Sequence, residues 1–243
     1  MIRGVIFDLG GTLVDFHSGA ADWRSMEVRG AVALCRFLAG RGYVLPETEF
    51  GESLWNAIER GWEEAMAGHA NARLPDIIAA TAARFGIVLD DEARMQAARA
   101  YAAGVGQDAV PYQGAHEMLR ELKGRGLRLG LLSNTAWPGQ FHQEALNGLG
   151  LLEFFDETVF SSDVGLWKPN APAFRHVTNR LGVSPSEAVF VGDLPEIDVM
   201  GAQRAGLRAV WIAADGIELG DVSPDATIHR LAELLVVLGQ WNN

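Results

Sequence analysis

The sequence predicts an α/β protein, a parallel sheet with helices on both faces, into which a second, α-helical domain is inserted. Three observations point there. Short β-branched or apolar runs end in small or polar residues at Gly4–Leu9, Leu127–Ser133, Thr158–Ser161, Ala188–Gly192 and Arg208–Ala213. Between the later runs lie helix-length segments whose apolar residues recur three and four apart. One connection, from Leu9 to Leu127, spans roughly 118 residues, where a simple strand–helix–strand unit needs about 30.

Taken in order, Gly4–Leu9 is the first strand. The long gap then reads as helix after helix, at Met26–Leu38, Glu49–Met66, Leu74–Phe85 and Asp91–Ala102, with turn signals at Gly40-Arg41-Gly42 and Gly68-His69. Residues 1–14 and 109–243 are therefore expected to form the α/β core, and 15–108 a helical cap. Such an insertion, at the carboxyl end of a parallel sheet, is expected to cover the place where ligands bind in open α/β folds. Its tryptophans Trp23, Trp55 and Trp62 read as core. Downstream, Ala115, Met118, Leu119 and Leu122 mark one helix, closed by Gly124 and Gly126. Phe174, Val177 and Leu181 mark another, closed by Gly182.

Composition narrows the function. A hydrophobic fraction of 49% with 21% charged residues can build a full core, which excludes a disordered or collagen-like chain. The single cysteine, Cys35, cannot form an internal bridge and sits in the apolar run Val32-Ala33-Leu34-Cys35, so it reads as a buried thiol. The net charge of −11, with no basic cluster, argues against nucleic acid or an anionic membrane surface as partner. No apolar stretch approaches the ~20 residues of a membrane span. The strand-like start carries no cleavable signal pattern, so a cytoplasmic protein is expected. Among the 20 cationic residues only Lys123 and Lys168 are lysines, which makes the place of each informative.

Several motifs fail on context. Gly104-Val105-Gly106-Gln107-Asp108-Ala109 spells a dinucleotide fingerprint but follows a helical stretch instead of a strand. The six histidines lack metal-ligand spacing. What remains lies at strand ends. The first strand delivers Asp8-Leu9-Gly10-Gly11-Thr12, a carboxylate followed by two glycines whose backbone can approach an anion. The second ends Ser133-Asn134-Thr135. Lys168 precedes a helix that starts near Pro172, and the fourth strand ends Gly192-Asp193 with Asp198 five residues on. Adjacent loops at one sheet edge are expected to share a site.

These four motifs, in this order and spacing, resemble the haloacid dehalogenase superfamily of hydrolases, the branch with a helical cap after the first strand. The resemblance covers essentially the whole chain and implies a Rossmann-like core. By that likeness Asp8 is the nucleophile, Ser133 binds a phosphoryl oxygen and Lys168 neutralises it. Gly11, Thr12 and Asn134 would complete the substrate-binding set. Asp193 would ligate Mg²⁺ together with Asp8 and the carbonyl of Gly10, and Asp198 would support the metal directly or through water. Val199–Gly206 matches the family's stretch after the metal carboxylates. A small phosphorylated metabolite is the implied partner, with a monomer or homodimer as the assembly.

Physical chemistry agrees with those roles. A carboxylate attacks phosphorus only if the repulsion between two anions is neutralised, as a divalent ion and a lysine would do. Mg²⁺ prefers hard oxygen ligands and takes few from protein. One departure matters: most phosphatases of this family carry a second aspartate two residues after the nucleophile as general acid and base, and here that position is Gly10. Asp15 and His17 are the nearby candidates for a substitute. A 2-haloacid dehalogenase also lacks that aspartate, but such relatives need no metal and generally carry Ser-Ser-Asn where this chain has Gly192-Asp193. A non-catalytic phosphate- or partner-binding protein is the third reading.

Overall fold

The structure, a computed structural model, describes residues 1–16, 23–106, 109–213 and 216–242, Trp23 by its backbone alone. Its strands are β1 (Gly4–Phe7), β2 (Val14–Asp15), β3 (Val110–Pro111), β4 (Arg128–Ser133), β5 (Glu157–Phe160), β6 (Ala188–Gly192), β7 (Arg208–Ile212) and β8 (Ala226–Ile228). Six of them form one sheet in the order β5-β4-β1-β6-β7-β8, every neighbouring pair parallel. β2 and β3 make a separate antiparallel ribbon. Five of the six sheet strands are the predicted runs. The sixth, β8, is three residues at the sheet edge, too short to show a hydrophobic period.

β1 is central, and its four residues are all buried, which is why it reads as a continuous apolar run. On one face, Ile6, Leu132 and Phe190 pack against Phe174, Val177 and Leu181 of the helix Ala171–Leu181. The rings of Phe174 and Phe190 meet edge-on, 4.9 Å apart. That helix stops at Gly182 in the left-handed conformation, φ +66°. The helix Ala115–Gly124 buries Ala115, Met118, Leu119 and Leu122, the four apolar positions that predict it. Parallel register aligns Phe7 with Leu131 on one side and Val191 on the other, so the chain ends of β1, β4 and β6 emerge at the same edge.

The chain divides into two compact units, an α/β unit (Met1–Asp15, Val110–Asn134, Gln143–Asn243) and a helical unit (Phe16–Ala109 with Thr135–His142). The helical unit contains α1 (Trp23–Gly40), α2 (Glu47–Met66), α3 (Leu74–Arg84) and α4 (Asp91–Val105). Asp90 caps α4, its carboxylate accepting from the Ala93 N–H at 2.7 Å. Segment 135–142 is tied in by the Leu74 N–H on the Ala136 carbonyl (2.7 Å) and by the Arg99 guanidinium over the Phe141 ring. Within it, the Thr135 hydroxyl and His142 Nε2 lie 2.8 Å apart, and burial pushes His142 down to about 4, so its ring is neutral at pH 7.

Cys35 is buried, as its apolar run predicts, and burial pushes its thiol up to about 11, with Glu47 adding to the shift. Trp55 and Trp62 are only half-buried, contrary to their reading as core, and the Trp23 side chain lies outside what the structure describes. Gly104, which opens the misleading glycine motif, serves helix packing; the later positions 107 and 108 lie outside the described residues. No helix among the described residues is long and apolar enough to cross a membrane.

α1 and α4 approach through glycines. A Cβ at Gly104 would lie 2.7 Å from the Arg29 carbonyl and 2.9 Å from Gly30 Cα. Gly40, at the end of α1, has nothing within 4 Å of such a Cβ. Gly104→Ala is therefore expected to cost about 1–3 kcal/mol through overpacking, while Gly40→Ala is neutral to slightly stabilising. Urea unfolding of both variants checks this, and equal effects would contradict the close-packed contact.

Candidate active site

Four loops at the carboxyl edge of the sheet supply the site, and each is shaped locally by its sequence. Asp8 follows the last residue of β1, its N–H donating to the Val191 carbonyl of β6 at 2.9 Å. After it the chain folds back at once. Gly11 takes a left-handed backbone (φ +78°) that other residues rarely adopt. A Cβ there would also collide with the Asp193 carboxylate, 2.7 Å from its Cγ. β6 ends at Gly192, whose missing side chain makes room for Asp198: an added Cβ would fall 2.5 Å from the Asp198 Cβ and Cγ. A wide π-helical turn, Pro195–Val199, returns the chain. In it Asp198 accepts from the Leu194 N–H (3.1 Å) and donates its own N–H to the Leu194 carbonyl (2.8 Å).

Lys168 joins these loops. It is 2% exposed, and its ammonium donates to Asp8 Oδ1 at 2.5 Å and to Asp198 Oδ1 at 2.8 Å. Asn134 fixes its backbone in both directions: the Lys168 N–H donates to Asn134 Oδ1 (2.8 Å), and Asn134 Nδ2 donates to the Lys168 carbonyl (2.9 Å). The Phe190 ring lies 5.2 Å from the ammonium and adds a cation–π contact. The other lysine, Lys123, is a peripheral partner of Asp156 at 2.9 Å.

Asp8, Asp193 and Asp198 are buried, and each offers a carboxylate oxygen within 4.8 Å of the others. Burial pushes Asp8 up to about 7, with Asp198 and Asp193 adding repulsion against the pull of Lys168. Burial likewise pushes Asp193 up to about 6, helped by Asp198. Burial alone would lower Lys168, yet Asp198 and Asp8 outweigh it and hold the ammonium charged. Fully ionised, the three carboxylates and one lysine leave a net charge of −2 in a buried space. That donor set, all hard oxygen with a deficit of two positive charges, fits a divalent cation such as Mg²⁺.

The remaining sequence-predicted residues sort differently. Ser133 is buried at the end of β4, its hydroxyl making, among the described residues, only a long contact (3.5 Å) to the next carbonyl. Thr12 donates to Asp193 Oδ1 (3.2 Å), and the Gly11 N–H donates to the Val14 carbonyl (3.1 Å), so both groups support the loop and its carboxylate. Asn134 engages the lysine backbone through both ends of its amide. Gly10 is half-buried and is not among the left-handed glycines. Asp15 lies on β2, paired with Val110, and His17 lies outside the described residues.

Two residues near the site carry no motif. Trp211, set beside Gly192 by the β6–β7 register, donates its indole N–H to the Asp193 carbonyl at 2.8 Å. Tyr112 has its phenol raised by burial and by the charges of Asp15 and Asp193. Pairing register would have suggested Trp211; no sequence signal marks Tyr112.

The sequence model of the haloacid dehalogenase-like hydrolase family matches residues 2–206. The chain belongs to that family. Among curated relatives, it is 31% identical to the glyceraldehyde 3-phosphate phosphatase of Methanopyrus kandleri, over 98% of this chain and 97% of the relative. It is 39% identical to the phosphoserine phosphatase of Thermus thermophilus, there over about half of each, 51% of this chain and 50% of the relative. Among solved structures, the 2-haloacid dehalogenase of Pseudomonas syringae pv. tomato DC3000 matches with a TM-score of 0.73 at 29% identity, covering 99% of this chain and 100% of that one. This haloacid dehalogenase-like hydrolase thus has relatives named for two chemistries, and its own carboxylates must decide between them.

The raised carboxyl groups make a stability prediction. A folded-state value of about 6 for Asp193, against an ordinary 3.8, means the folded protein holds an extra proton between those pH values. Ionising it costs stability as pH rises through that window. In chelator, Asp193→Asn should therefore gain stability relative to wild type from about pH 4 to about pH 6 and then level off. Thermal melts across that range check it, and a pH-independent difference would contradict the assigned burial cost.

Proposed function

We propose that this chain is a phosphatase, hydrolysing a small phosphomonoester by nucleophilic attack of Asp8 with Mg²⁺ as cofactor. The observation that carries the reading is the charge balance: one lysine set against three buried carboxylates. A site left two charges negative repels a phosphate dianion unless a divalent cation completes it. Asp8, Asp193 and the Gly10 carbonyl would hold that ion, with Asp198 directly or through water. When bound, it supplies positive charge against the substrate oxygens and the nucleophile. The phosphatase names of relatives similar over the whole chain support the same reading.

In the proposed sequence, Lys168 holds Asp8 Oδ1 and leaves Oδ2 to attack phosphorus. The new Asp8–phosphorus bond forms as the ester oxygen leaves with the electron pair of the breaking bond. Water then attacks phosphorus as the Asp8–phosphorus bond breaks, which frees phosphate and restores the carboxylate; the departed oxygen takes its proton from solvent, to which the attacking water gives one up, so that one hard displacement becomes two easier ones. Ser133 donates its hydroxyl to a phosphoryl oxygen. Lys168, held by Asn134, neutralises charge as it builds in the transition state. The small substrates suited to such a site are phosphorylated metabolites.

A second reading rests on Gly10 together with the dehalogenase neighbour: displacement of halide from a 2-haloacid by Asp8. The metal-type carboxylate group argues against it, because that reaction has no use for Asp193 as a ligand. Purified protein should hydrolyse p-nitrophenyl phosphate only with Mg²⁺ and should leave 2-chloropropionate untouched. Asp8→Asn should reduce phosphatase activity to background. Metal-independent chloride release would favour the second reading, and inertness toward both substrates would favour a binding role.

Gly10 sets a further expectation. General acid catalysis is typically worth ~10²–10⁴ in rate. Without an acid at this position, p-nitrophenyl phosphate should be cleaved far faster than alkyl phosphates. Since Gly10 is not a left-handed glycine, Gly10→Asp is a reasonable variant, and it should raise turnover of alkyl phosphates and flatten the dependence on leaving-group pKa. A wild type with an already flat dependence would mean that another residue supplies the proton.

A further inference from the structure

Within the α/β unit, the rim of the acidic site is apolar. Among the described residues of this unit, Met1, Val110, Tyr112, Val164, Leu194 and Val236 are the large apolar or aromatic side chains left more than a third exposed. Met1 and Val236 lie near the chain ends. The other four belong to the ribbon and loops at the carboxyl edge, where the acidic site is. Two of them stand beside Asp193. The Tyr112 N–H donates to the Leu13 carbonyl at 2.9 Å, and Leu13 follows Thr12, whose hydroxyl holds Asp193. The phenol is close enough to Asp15 and Asp193 for both charges to act on it. Leu194 directly follows Asp193, and its backbone N–H and carbonyl both engage Asp198. Single exposed apolar residues are ordinary, but two placed beside one functional carboxylate offer a surface that a ligand can cover.

The charges around this surface say which ligand suits it. Cations of the α/β unit gather at the opposite edge: Arg3, Arg128 and Arg208 stand at or just before the amino ends of β1, β4 and β7, and Arg180 pairs with Glu157 at the start of β5 (2.7 Å). Lys168, which does stand among the site loops, is taken up by Asp8 and Asp198. Asp15 adds negative charge beside Tyr112, so a second anionic group on the ester would meet repulsion there. Gly10 points the same way. With no side chain there to protonate a departing oxygen, the site suits an ester whose oxygen leaves readily, as that of a phenol does. Resting on the phosphatase reading above, we propose that Tyr112 and Leu194 select the organic part of the ester, and that the substrate class is a phosphomonoester of a phenol carrying no second charge. The aromatic group stacks on the Tyr112 ring and covers Leu194 while the phosphoryl group meets Asp8.

Steady-state kinetics of the full chain with Mg²⁺ tests this on two esters matched in leaving-group pKa, phenyl phosphate and 3-carboxyphenyl phosphate. Because the two leaving groups are equally good, a difference between the esters reports recognition of the organic part. Phenyl phosphate should have the lower KM, by about tenfold, since it avoids the like charge. Tyr112→Ala should raise the KM for phenyl phosphate by about tenfold with kcat little changed, as loss of one aromatic contact would give. Tyr112→Phe, which keeps the ring, should restore the low KM. Leu194→Ala should act in the same direction as Tyr112→Ala and carries the test if that variant does not fold. Equal KM for the two esters, an unaltered KM for phenyl phosphate in folded Tyr112→Ala or Leu194→Ala, or a Tyr112→Phe protein that behaves like Tyr112→Ala would each overturn the proposal and leave the phosphatase reading standing. Hydrolysis of neither ester would overturn both.

Discussion

The ammonium of Lys168 is the constraint on which the site's architecture depends. It bridges Asp8 at the end of β1 and Asp198 beyond β6, partners far apart in sequence, while Asn134 after β4 grips its backbone. Three loops are thus held by one buried charge. Removing one partner from such a buried pair typically costs about 3–5 kcal/mol, because it strands the other. The same lysine is insufficient for the charge around it, since a third carboxylate, Asp193, is held beside the pair by Thr12 and by the tryptophan on its carbonyl. A structure that spends glycines at 11 and 192 to bring these oxygens together keeps them in a costly state when no cation is bound.

That cost separates the two chemistries found among the relatives. Displacement of halide by a carboxylate needs the nucleophile and a cation to orient it, and Lys168 would serve. It gives no reason to bury Asp193 against Gly11. Transfer of a phosphoryl group requires charge compensation for a dianion meeting a carboxylate, and the extra acid is what a compensating divalent ion would bind. Gly10 then marks a division of labour. Its carbonyl keeps the same oxygen any residue would offer, while a glycine has no side chain to donate a proton.

Much of this was legible in the sequence, for identifiable reasons. Asp8, Ser133 and Asp193 stand at or just after the ends of apolar runs and Lys168 in a loop, and a parallel sheet brings strand ends to one edge whatever the details of packing. Lys168 was conspicuous because the chain uses arginine almost everywhere else. What stayed hidden depends on register or shape. Trp211 supports Asp193 only because β7 pairs with β6 in one register. Asn134 reads as a substrate ligand until its amide is seen clamping a backbone. Segment 135–142 follows a core strand in sequence, yet the Leu74–Ala136 hydrogen bond and the Phe141 contact join it to the helical unit. Gly104 spelled a nucleotide motif and turned out to be the point where two helices touch. Glu27 on a helix looks like any surface glutamate, and only the structure shows it buried.

The central claim is that the excess of buried carboxylate over lysine is a binding site for one divalent cation. Calorimetric titration of Mg²⁺ into metal-free protein, wild type beside Asp193→Asn, tests it most directly. The account predicts one ion bound per chain in the wild type, weakening as pH falls below about 7, where the Asp8 carboxyl takes up a proton. It also predicts a sharp loss of affinity in a variant that remains folded. Equal Mg²⁺ affinity in the two proteins would contradict it.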